Sequence, residues 1–370
     1  MKSTRKEQSI TIEGKNYFSE DIHRLAAKLT ADKPSIMRDL YLFLDEWFSE
    51  SPLMKVHTSG STGTPKELTV GKEQMMQSAR MTCEVLHLTQ GDTALLCMPL
   101  QYIAGKMMVV RALVAGLNLI VRTPTGHPLA NVSEEIRFAA MVPLQVYNSI
   151  DVPEEWKRLN HIGILLIGGG MINPYYLVKL RTMPGEIYAT YGMTETLSHI
   201  ALCRLNGNQT DAITYYPLPG VKISLSADDT LVIDAPRVCD HQLTTNDIVS
   251  IDSEGGFIVL GRTDNTINSG GIKMQPEKME LWLQDALPMP FAFTSMPHDH
   301  LGEVAVLLVE GSVSIERIRI LVEAHLPDNC RGCKWIVPIE KLPLTGSGKI
   351  DRAACKKLAH QFYEQSNLIV

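Results

Sequence analysis

Apolar and polar positions predict strands and helices in alternation along the first two thirds of the chain. Apolar residues recur at helical spacing over residues 20–50, with a break at Pro34, and again over 71–88 and 106–115. Short, continuous apolar runs at 93–98, 118–122 and 161–167 are typical of strands that are buried on both faces. Strands that alternate with helices indicate an α/β sheet covered by helices.

The pattern changes after about residue 220. Residues 221–235 and 247–260 are typical of short β-hairpin strands, and a polar stretch rich in Asn, Ser and Gly, beginning at Gly261, resembles a linker. The rest of the chain predicts helices from Pro276 and over 314–325, and strands over 304–309 and 335–339, in an α+β unit of about 100 residues. We place the boundary at Asp264, which gives domains 1–263 and 264–370.

Composition narrows the class of protein. The 370 residues are 45% hydrophobic and 21% charged with a net charge of −6, which is ordinary for a soluble globular protein and argues against a nucleic-acid partner. No apolar run approaches the roughly 18 residues that a membrane span needs, and the first residues lack an apolar signal core. Seven cysteines at irregular spacing predict free thiols and a cytoplasmic location. The lone pair Cys330 and Cys333 is either an incidental spacing or a metal or redox site.

A loop rich in glycine and hydroxyl residues is the first candidate for chemistry. Glycines let backbone N–H groups converge on an anion, and hydroxyls and an ammonium add donors, so the loop suits a nucleotide's phosphates. The alternative is a flexible connection. The candidate residues are Thr58, Ser59, Gly60, Ser61, Thr62, Gly63, Thr64 and Lys66.

A second candidate follows a strand-like stretch and reads Tyr-Gly-Met-Thr-Glu over residues 191–195. These residue types combine an aromatic face for a base, a hydroxyl for a phosphate and a carboxylate for Mg²⁺. The alternative is a turn into a helix whose N-cap is Thr194.

These two motifs resemble those of the acyl-adenylate-forming superfamily, which comprises acyl-CoA synthetases, adenylation domains and luciferases. Five motif regions occur in the family's order between Thr58 and Arg352. The resemblance implies a large domain of layered α/β sheets with a small β subdomain, which binds ATP and the acid. It also implies a smaller, mobile α+β lid domain and an AMP-forming ligase that uses ATP, Mg²⁺ and CoA.

The resemblance also implies roles for single residues in nucleotide binding. The phosphate loop is 58–66, Thr194 contacts phosphate, and Glu195 helps to hold Mg²⁺. The adenine is lined by a glycine triplet and stacked by a tyrosine, and a carboxylate and an arginine bind the ribose. The corresponding residues are Gly168, Gly169, Gly170, Tyr191, Gly192, Met193, Asp247 and Arg262.

Three further roles concern the lid domain. The resemblance implies that Asp264 is the hinge about which the lid domain rotates. Lys273, which follows Gly270 and Gly271, is implied to act in the thioester half-reaction. The alternative is that Lys273 is an ordinary surface lysine. Lys349, in a glycine-rich stretch near the C-terminus, closely matches the catalytic lysine of the family. Its charge would offset the negative charge that builds up as a carboxylate attacks the α-phosphate.

The acid pocket of such enzymes lies beside residues 98–106 of this chain, so Gln101, Tyr102, Lys106 and Ser198 are the candidate acid-binding residues. One interpretation of Lys106 is that it binds a second carboxylate of the acid substrate. The alternative is an ordinary lysine on the helix surface. The motifs look most like those of the o-succinylbenzoate–CoA ligases of menaquinone synthesis, whose substrate is an aromatic keto diacid. The alternatives are another aryl- or acyl-CoA ligase, an enzyme that acylates a carrier protein, and a non-catalytic nucleotide sensor.

Two expectations concern the whole protein. The phosphate loop lies roughly 100 residues nearer the start than in typical relatives, so we expect a reduced first subdomain with altered acid-pocket walls. The partners implied are a small carboxylic acid, ATP and CoA, with a possible homodimer.

Overall fold

The computed structural model of the protein describes residues 8–29, 35–57, 67–207, 213–284, 286–312, 314–330, 335–345 and 350–367. Contacts divide the chain into two compact units. The first unit comprises residues 1–222 and 234–242, and the second comprises 223–233 and 243–370. The predicted domain boundary at Asp264 stays a prediction.

The described part of the first unit contains a sheet of nine strands in the order β11-β10-β9-β8-β7-β5-β6-β1-β2. These strands are β1 (Ile10–Ile12), β2 (Lys15–Tyr17), β5 (Thr93–Leu96), β6 (Asn118–Val121), β7 (Phe138–Met141), β8 (Ile164–Ile167), β9 (Glu186–Gly192), β10 (His199–Arg204) and β11 (Tyr216–Pro217). A separate antiparallel hairpin is formed by β3 (Leu53–His57) and β4 (Glu67–Gly71). The helices are α1 (Ser19–Ala26), α2 (Ile36–Phe48), α3 (Lys72–Val85), α4 (Ile103–Ala115), α5 (Pro143–Asp151), α6 (Pro153–Leu159) and α7 (Pro174–Arg181).

The predicted α/β sheet is therefore confirmed, and its central strands explain why their sequences are continuously apolar. β5, β7, β8 and β9 pair in parallel. Every residue of β8 is buried, because helices cover both faces of such a sheet and leave no position for a polar side chain. The core on one side joins residues of these strands to α5 and α7, among them Leu165, Ile167, Val146 and Leu180.

The edge of this sheet is made by the start of the chain. β1 pairs in parallel with β6, with Thr11 opposite Asn118 and Ile12 opposite Leu119. The turn after β1 is fixed to the same strand, since the backbone N–H of Gly14 donates to the Asn118 side chain at 2.9 Å. Residues more than 100 positions apart are therefore neighbours in the sheet.

The described residues of the second unit form two sheets. The first has the strand order β12-β13-β14-β15, and the second has the order β17-β16-β19-β18 with β20 beside β19. The strands are β12 (Lys222–Leu225), β13 (Thr230–Asp234), β14 (Leu243–Ile251), β15 (Phe257–Arg262), β16 (Ile267–Ser269), β17 (Ile272–Met274), β18 (Phe291–His298), β19 (Gly302–Glu310) and β20 (Trp335–Ile339). The helices are α8 (Pro276–Leu283), α9 (Ile315–His325) and α10 (Arg352–Asn367).

The alternation of side chains along β18 and β19 supplies a core on each face of the second sheet. Phe293 and Leu307 belong to the cluster that includes residues of α8 and α9, whereas Ala292 and Leu308 belong to the cluster that includes residues of α10. Both faces are covered, so the two strands are apolar almost throughout.

The polar stretch predicted as a linker is in fact ordered. Residues 263–265 form one 3₁₀ turn, and β16 and β17 then form a hairpin in which Ser269 pairs with Ile272. Gly270 and Gly271 make the two-residue turn with φ of +58° and +87°, values that glycine reaches without steric cost. Short polar strands around a glycine pair have the composition of a loop, which is why the sequence pattern missed them.

Two general features complete the description. Within the described ranges, no helix is both long and apolar enough to cross a membrane. Cys83, Cys97, Cys203, Cys239, Cys330 and Cys355 are buried free thiols. Cys333 lies outside the described residues, so the predicted roles of the CxxC pair stay open.

Candidate nucleotide and acid site

Two parts of the predicted site lie outside the described residues. They are the phosphate-loop residues 58–66 and the predicted catalytic lysine, Lys349. The flanks of the first are described: β3 and β4 run antiparallel on either side of it, and His57 pairs with Glu67 at its base. A salt bridge of 2.9 Å between Lys55 and Glu67 joins the same two strands. The chain therefore enters and leaves the predicted phosphate loop at neighbouring points.

The glycine triplet predicted to line the adenine follows β8 directly. The N–H of Gly168 donates to the carbonyl of Met141 at 3.1 Å, so the triplet begins where the sheet ladder ends. Ligands of parallel sheets gather at the carboxyl ends of strands, and the triplet occupies such an end.

Tyr191 and Gly192 end the next strand, β9, whose partner in the ladder is β10. A Cβ atom on Gly192 would overlap the Ser198 carbonyl oxygen and would lie only 2.6 Å from the Cα of His199. Only glycine fits there, because the two strands approach each other closely as the chain turns back.

The turn over residues 193–198 is a tight one and does not open a helix. Thr196 receives a hydrogen bond from the N–H of Met193 at 3.0 Å, and the N–H of Leu197 donates to the carbonyl of Thr194 at 2.9 Å. Leu197 has a φ of +66°. The alternative of a helix capped at Thr194 is therefore wrong, because the following residues are recruited as a strand beside β9.

The exposed part of this turn carries the groups predicted to meet phosphate and metal. The Glu195 side chain is exposed and Thr194 is half-buried. Mg²⁺ prefers oxygen ligands and is usually held by one or two carboxylates together with substrate phosphates, so Glu195 and the neighbouring hydroxyl fit this ion.

Tyr191, predicted to stack on adenine, is backed by a second aromatic ring. The ring of Tyr215 lies 5.7 Å from that of Tyr191 at an angle of 56°, a tilted arrangement that aromatic pairs favour. Tyr215 limits the orientations open to Tyr191, and no sequence motif identified it.

The predicted ribose pair lies in the second unit on neighbouring strands, with Asp247 directly opposite Arg262. Nη1 of Arg262 donates to Asp247 at 2.8 Å, and Nε and Nη2 donate to the two oxygens of Asp264 at 2.9 and 2.8 Å. The hydrogen bond to Asp264 raises the pKa of Arg262, and the same bond lowers the pKa of Asp264. The structure thus brings the predicted hinge residue onto the predicted ribose pair.

Lys273 lies on β17 with an exposed side chain, opposite Asn268 in the hairpin. The Gly270–Gly271 turn is only two residues before it. Its predicted role in the thioester half-reaction stays a prediction.

The predicted acid-binding residues fall at the start of α4. Gln101 is exposed in the preceding turn, and Tyr102 is the half-buried N-cap residue. Lys106 is buried, and its Nζ donates to the carbonyl of Lys55 at 2.7 Å, which ties α4 to the hairpin that flanks the phosphate loop. Burial lowers the pKa of Lys106. The interpretation as an ordinary surface lysine is wrong, whereas the role as a carboxylate clamp stays a prediction.

A second cation on α4, Arg111, was missed by sequence reasoning. Its side chain is buried, and one Nη donates to the hydroxyl of Ser198, a predicted acid-binding residue. Its Nε has no hydrogen-bond partner, and none of the ion pairs among the described residues includes it. Burial lowers the pKa of Arg111 to about 10, so it remains charged at neutral pH. A buried guanidinium without a carboxylate partner is a candidate anion-binding group.

A directional network supports Arg111. Ser198 lies 3.3 Å from Nδ1 of His199, and Nε2 of His199 lies 3.1 Å from the hydroxyl of Thr82, which itself donates to the carbonyl of Ser78. Burial and then Arg111 lower the pKa of His199 well below its ordinary value, so the ring is neutral. With Nε2 protonated, Nδ1 accepts the hydroxyl proton of Ser198, which leaves the Ser198 oxygen to accept from Arg111.

The family follows from a direct comparison. The family model described as AMP-binding enzyme matches residues 16–238, more than half of the chain. The chain belongs to this family, and the predicted superfamily and fold are confirmed.

Individual relatives support the same family. The 2-succinylbenzoate–CoA ligase of Lactococcus lactis is 25% identical over 321 residues, which cover 81% of this chain and 70% of the relative. A solved acyl-CoA synthetase (AMP-forming)/AMP-acid ligase II-like protein from Dyadobacter fermentans is 31% identical, with 90% of this chain and 96% of that chain covered and a TM-score of 0.60. The o-succinylbenzoate coenzyme A synthetase of Bacillus subtilis, solved with ATP and magnesium ion, shares the fold at 20% identity, with 84% and 74% covered and a TM-score of 0.69.

Proposed function

We propose that this protein is an AMP-forming ligase that joins o-succinylbenzoate to CoA through an acyl-adenylate. Membership of the AMP-binding family supports the adenylate chemistry, and the names of the relatives support this acid and this acceptor. The structural observation that carries the acid assignment is the buried Arg111 beside Ser198.

An aromatic keto diacid makes a specific demand on its pocket. One carboxylate reacts, while the other keeps its charge in the bound state and must be paired if it is taken out of water. Arg111 is buried and charged, and its Nε is free to donate, so it meets that demand. Lys106, which uses one of three donors on the Lys55 carbonyl, is the second candidate from the same helix.

The first half-reaction makes the adenylate. An oxygen of the acid's carboxylate attacks the α-phosphorus of ATP, the bond from that phosphorus to the bridging oxygen breaks, and pyrophosphate leaves. Thr194 would contact phosphate, and the cationic Lys349 would offset the charge that builds up on the transferring oxygens. Mg²⁺, held by Glu195 and the phosphates, would supply further neutralisation of their charge.

The second half-reaction makes the thioester. The sulfur of CoA attacks the acyl carbon, the bond from that carbon to the AMP oxygen breaks, and the thiol proton leaves with AMP or to water. No step requires a protein nucleophile. Rotation of the C-terminal part about Asp264, which exchanges Lys349 for the Lys273 segment between the half-reactions, is part of this proposal.

The experiment is a panel of acids incubated with the purified protein, ATP, Mg²⁺ and CoA, with AMP and thioester as readouts. We expect succinylbenzoate to give both products at the highest kcat/KM. The negative control is Lys349→Ala, which we expect to lower the rate of adenylation about 10²- to 10³-fold. Turnover of another aryl or fatty acid with none of succinylbenzoate would contradict the assignment of the acid. Transfer only to a carrier protein would contradict the acceptor.

A non-catalytic sensor is disfavoured by the retention of Glu195 and Lys349, because a sensor has no use for a transition-state cation. Absence of AMP release with every acid would reverse this conclusion. The homodimer and the cytoplasmic location stay predictions.

A further inference from the structure

A buried cluster of charges lies at the start of α10, three residues after Lys349 in the sequence. Arg352 grips both oxygens of Glu280, with Nη1–Oε1 and Nη2–Oε2 distances of 2.6 and 2.7 Å. The same guanidinium donates to the carbonyl of Phe293 at 3.0 Å, and the N–H of Phe293 donates to Glu280 at 2.7 Å. The guanidinium therefore binds a side chain of α8 and the backbone of β18 at the same time.

A second carboxylate extends the cluster towards the predicted hinge. Glu277, one turn before Glu280 on α8, lies 3.4 Å from Nη2 of Arg352. It also accepts a hydrogen bond of 2.5 Å from Asn265, the residue after Asp264. Burial raises the pKa of Glu280, although the nearby charge of Arg352 acts in the opposite direction. The pKa of Arg352 is also raised, because the effect of Glu280 and Glu277 outweighs that of burial. The guanidinium of Arg352 therefore contacts the carboxyl groups of both glutamates.

The chain on either side of Lys349 is held by further bonds. Leu344 and Ile350 form an isolated β-bridge, and the N–H of Asp351 donates to the carbonyl of Pro343 at 2.9 Å. The Asp351 side chain then accepts from the N–H of Ala354 at 2.9 Å in the first turn of α10. Residues 343–344 and 350–351 therefore lie next to each other, and Arg352 joins this point to the second sheet.

We propose that Arg352 is a positioning residue for adenylation: it fixes the start of α10, three residues after the predicted catalytic lysine, Lys349. This inference rests on the proposed function, because it assigns the arginine to the half-reaction in which Lys349 acts. A buried ion pair is weak evidence for stability, since well-packed apolar residues of similar volume often serve as well. A bidentate fork does supply orientation, and a misplacement of about 1 Å in a catalytic group costs as much as about 10²-fold in rate.

The test separates the two half-reactions in the full-length protein. Adenylation is measured as ATP–pyrophosphate exchange with the acid and without CoA, and thioester formation is measured from synthetic acyl-adenylate and CoA. We expect Arg352→Lys, which keeps the charge but loses the fork, to lower adenylation about tenfold or more. We expect thioester formation to stay within about threefold, because Lys349 has no role in that step.

Two further variants keep the result interpretable. Glu280→Gln removes the charge of the partner and keeps its shape, so it should reproduce the split between half-reactions. Lys356→Ala is the matched control: it removes an exposed ion pair of 3.2 Å with Glu303 on the same helix and should change neither half-reaction. If folded Arg352→Lys and Glu280→Gln lost both half-reactions equally, the role of Arg352 would be merely structural. If these variants kept full adenylation activity, Arg352 would have no role in adenylation. Either result overturns the inference.

The wild-type protein distinguishes this inference from the proposed function. If another acid is adenylated in place of succinylbenzoate, the assignment of the acid fails and Arg352 is tested with the acid that reacts. If no acid is adenylated, both proposals fall.

Discussion

Two cations on the single helix α4 have different surroundings. Lys106 donates to a backbone carbonyl of the hairpin beside the phosphate loop, whereas Arg111 donates to a serine hydroxyl and retains an unpaired Nε. A carbonyl satisfies a donor without neutralising its charge. The residue that lacks a compensating group is the better partner for a charged substrate.

Replacement of Arg111 tests this difference. We expect Arg111→Met, similar in volume but uncharged, to lower kcat/KM for succinylbenzoate about 30-fold or more relative to plain benzoate, because losing the partner of a buried charge costs about 2 kcal/mol or more. Steady-state kinetics with the two acids provide the measurement.

Lys106→Ala serves as the parallel variant. A selective loss of succinylbenzoate activity would support the carboxylate clamp predicted for Lys106, and equal losses with both acids would exclude it. If Arg111→Met weakened both acids alike, the arginine would have no role in recognising the second carboxylate.

Short sequence motifs supplied most of the candidate site residues, but none of them pointed to Arg111. A signal was present: helix α4 is apolar almost all round, and Lys106 and Arg111 are its only charged residues. A cation in such a helix must be buried, and buried cations serve a purpose. Its contact with Ser198, 87 positions later in the chain, could not be foreseen from periodicity.

At the scale of elements, the junction between β9 and β10 depends on backbone proximity. Gly192 lies against the backbone of Ser198 and His199. The turn therefore has no space to relax if a side chain is introduced, and both Tyr191 and Ser198 depend on its geometry.

We expect Gly192→Ala to destabilise the protein by about 1–3 kcal/mol through overpacking and to raise the KM for ATP. Thermal unfolding and steady-state kinetics measure the two effects. Gly255→Ala is the control: it has a φ of +83°, but its Cβ would meet nothing within 4 Å, so it imposes backbone strain without overlap. An ATP KM equal to that of the wild type in Gly192→Ala would show that the turn does not shape the nucleotide site.

Elements with strong periodicity were predicted well, and short or mixed ones were not. The helix over 71–88 is observed as α3 and the strand over 161–167 as β8. The hairpin of β16 and β17 was taken for a linker, because three-residue strands are shorter than any periodicity can reveal. The strand β18 was missed although β19 was found.

At the scale of the molecule, the sheet of β12–β15 clusters with the C-terminal residues in the second unit. The predicted hinge therefore lies inside a compact unit in this arrangement. Arg262 binds Asp264 with two donors and Asp247 with a third. Rotation about Asp264 would have to break or carry with it a charged, bidentate contact.

Proline at the hinge tests the rotation. Asp264→Pro fixes φ near −65°. We expect this variant to lower the rate of one half-reaction about tenfold or more and to leave the rate of the other nearly unchanged. The two assays described for Arg352 provide the measurement. Asp264→Ala, which removes the ion pair without fixing the backbone, should retain both half-reactions, and a proline variant that is active in both would exclude a hinge at this residue.

Fold class was predictable from the alternation of strands and helices, but the order of strands was not. No periodic signal shows that β1 lies beside β6, because that pairing depends on one parallel register between residues more than 100 positions apart. Nor did the pattern show that the hairpin strands would cluster with the C-terminal residues.

The placement of β1 has a consequence for biosynthesis. Residues 10–12 are translated more than 100 codons before their partners in the ladder, Asn118 and Leu119. During that interval the nascent β1–β2 ribbon has an open edge, and a two-stranded ribbon is marginally stable by itself. A chaperone that shields this ribbon until the partner strand emerges would protect the chain from intermolecular pairing during translation.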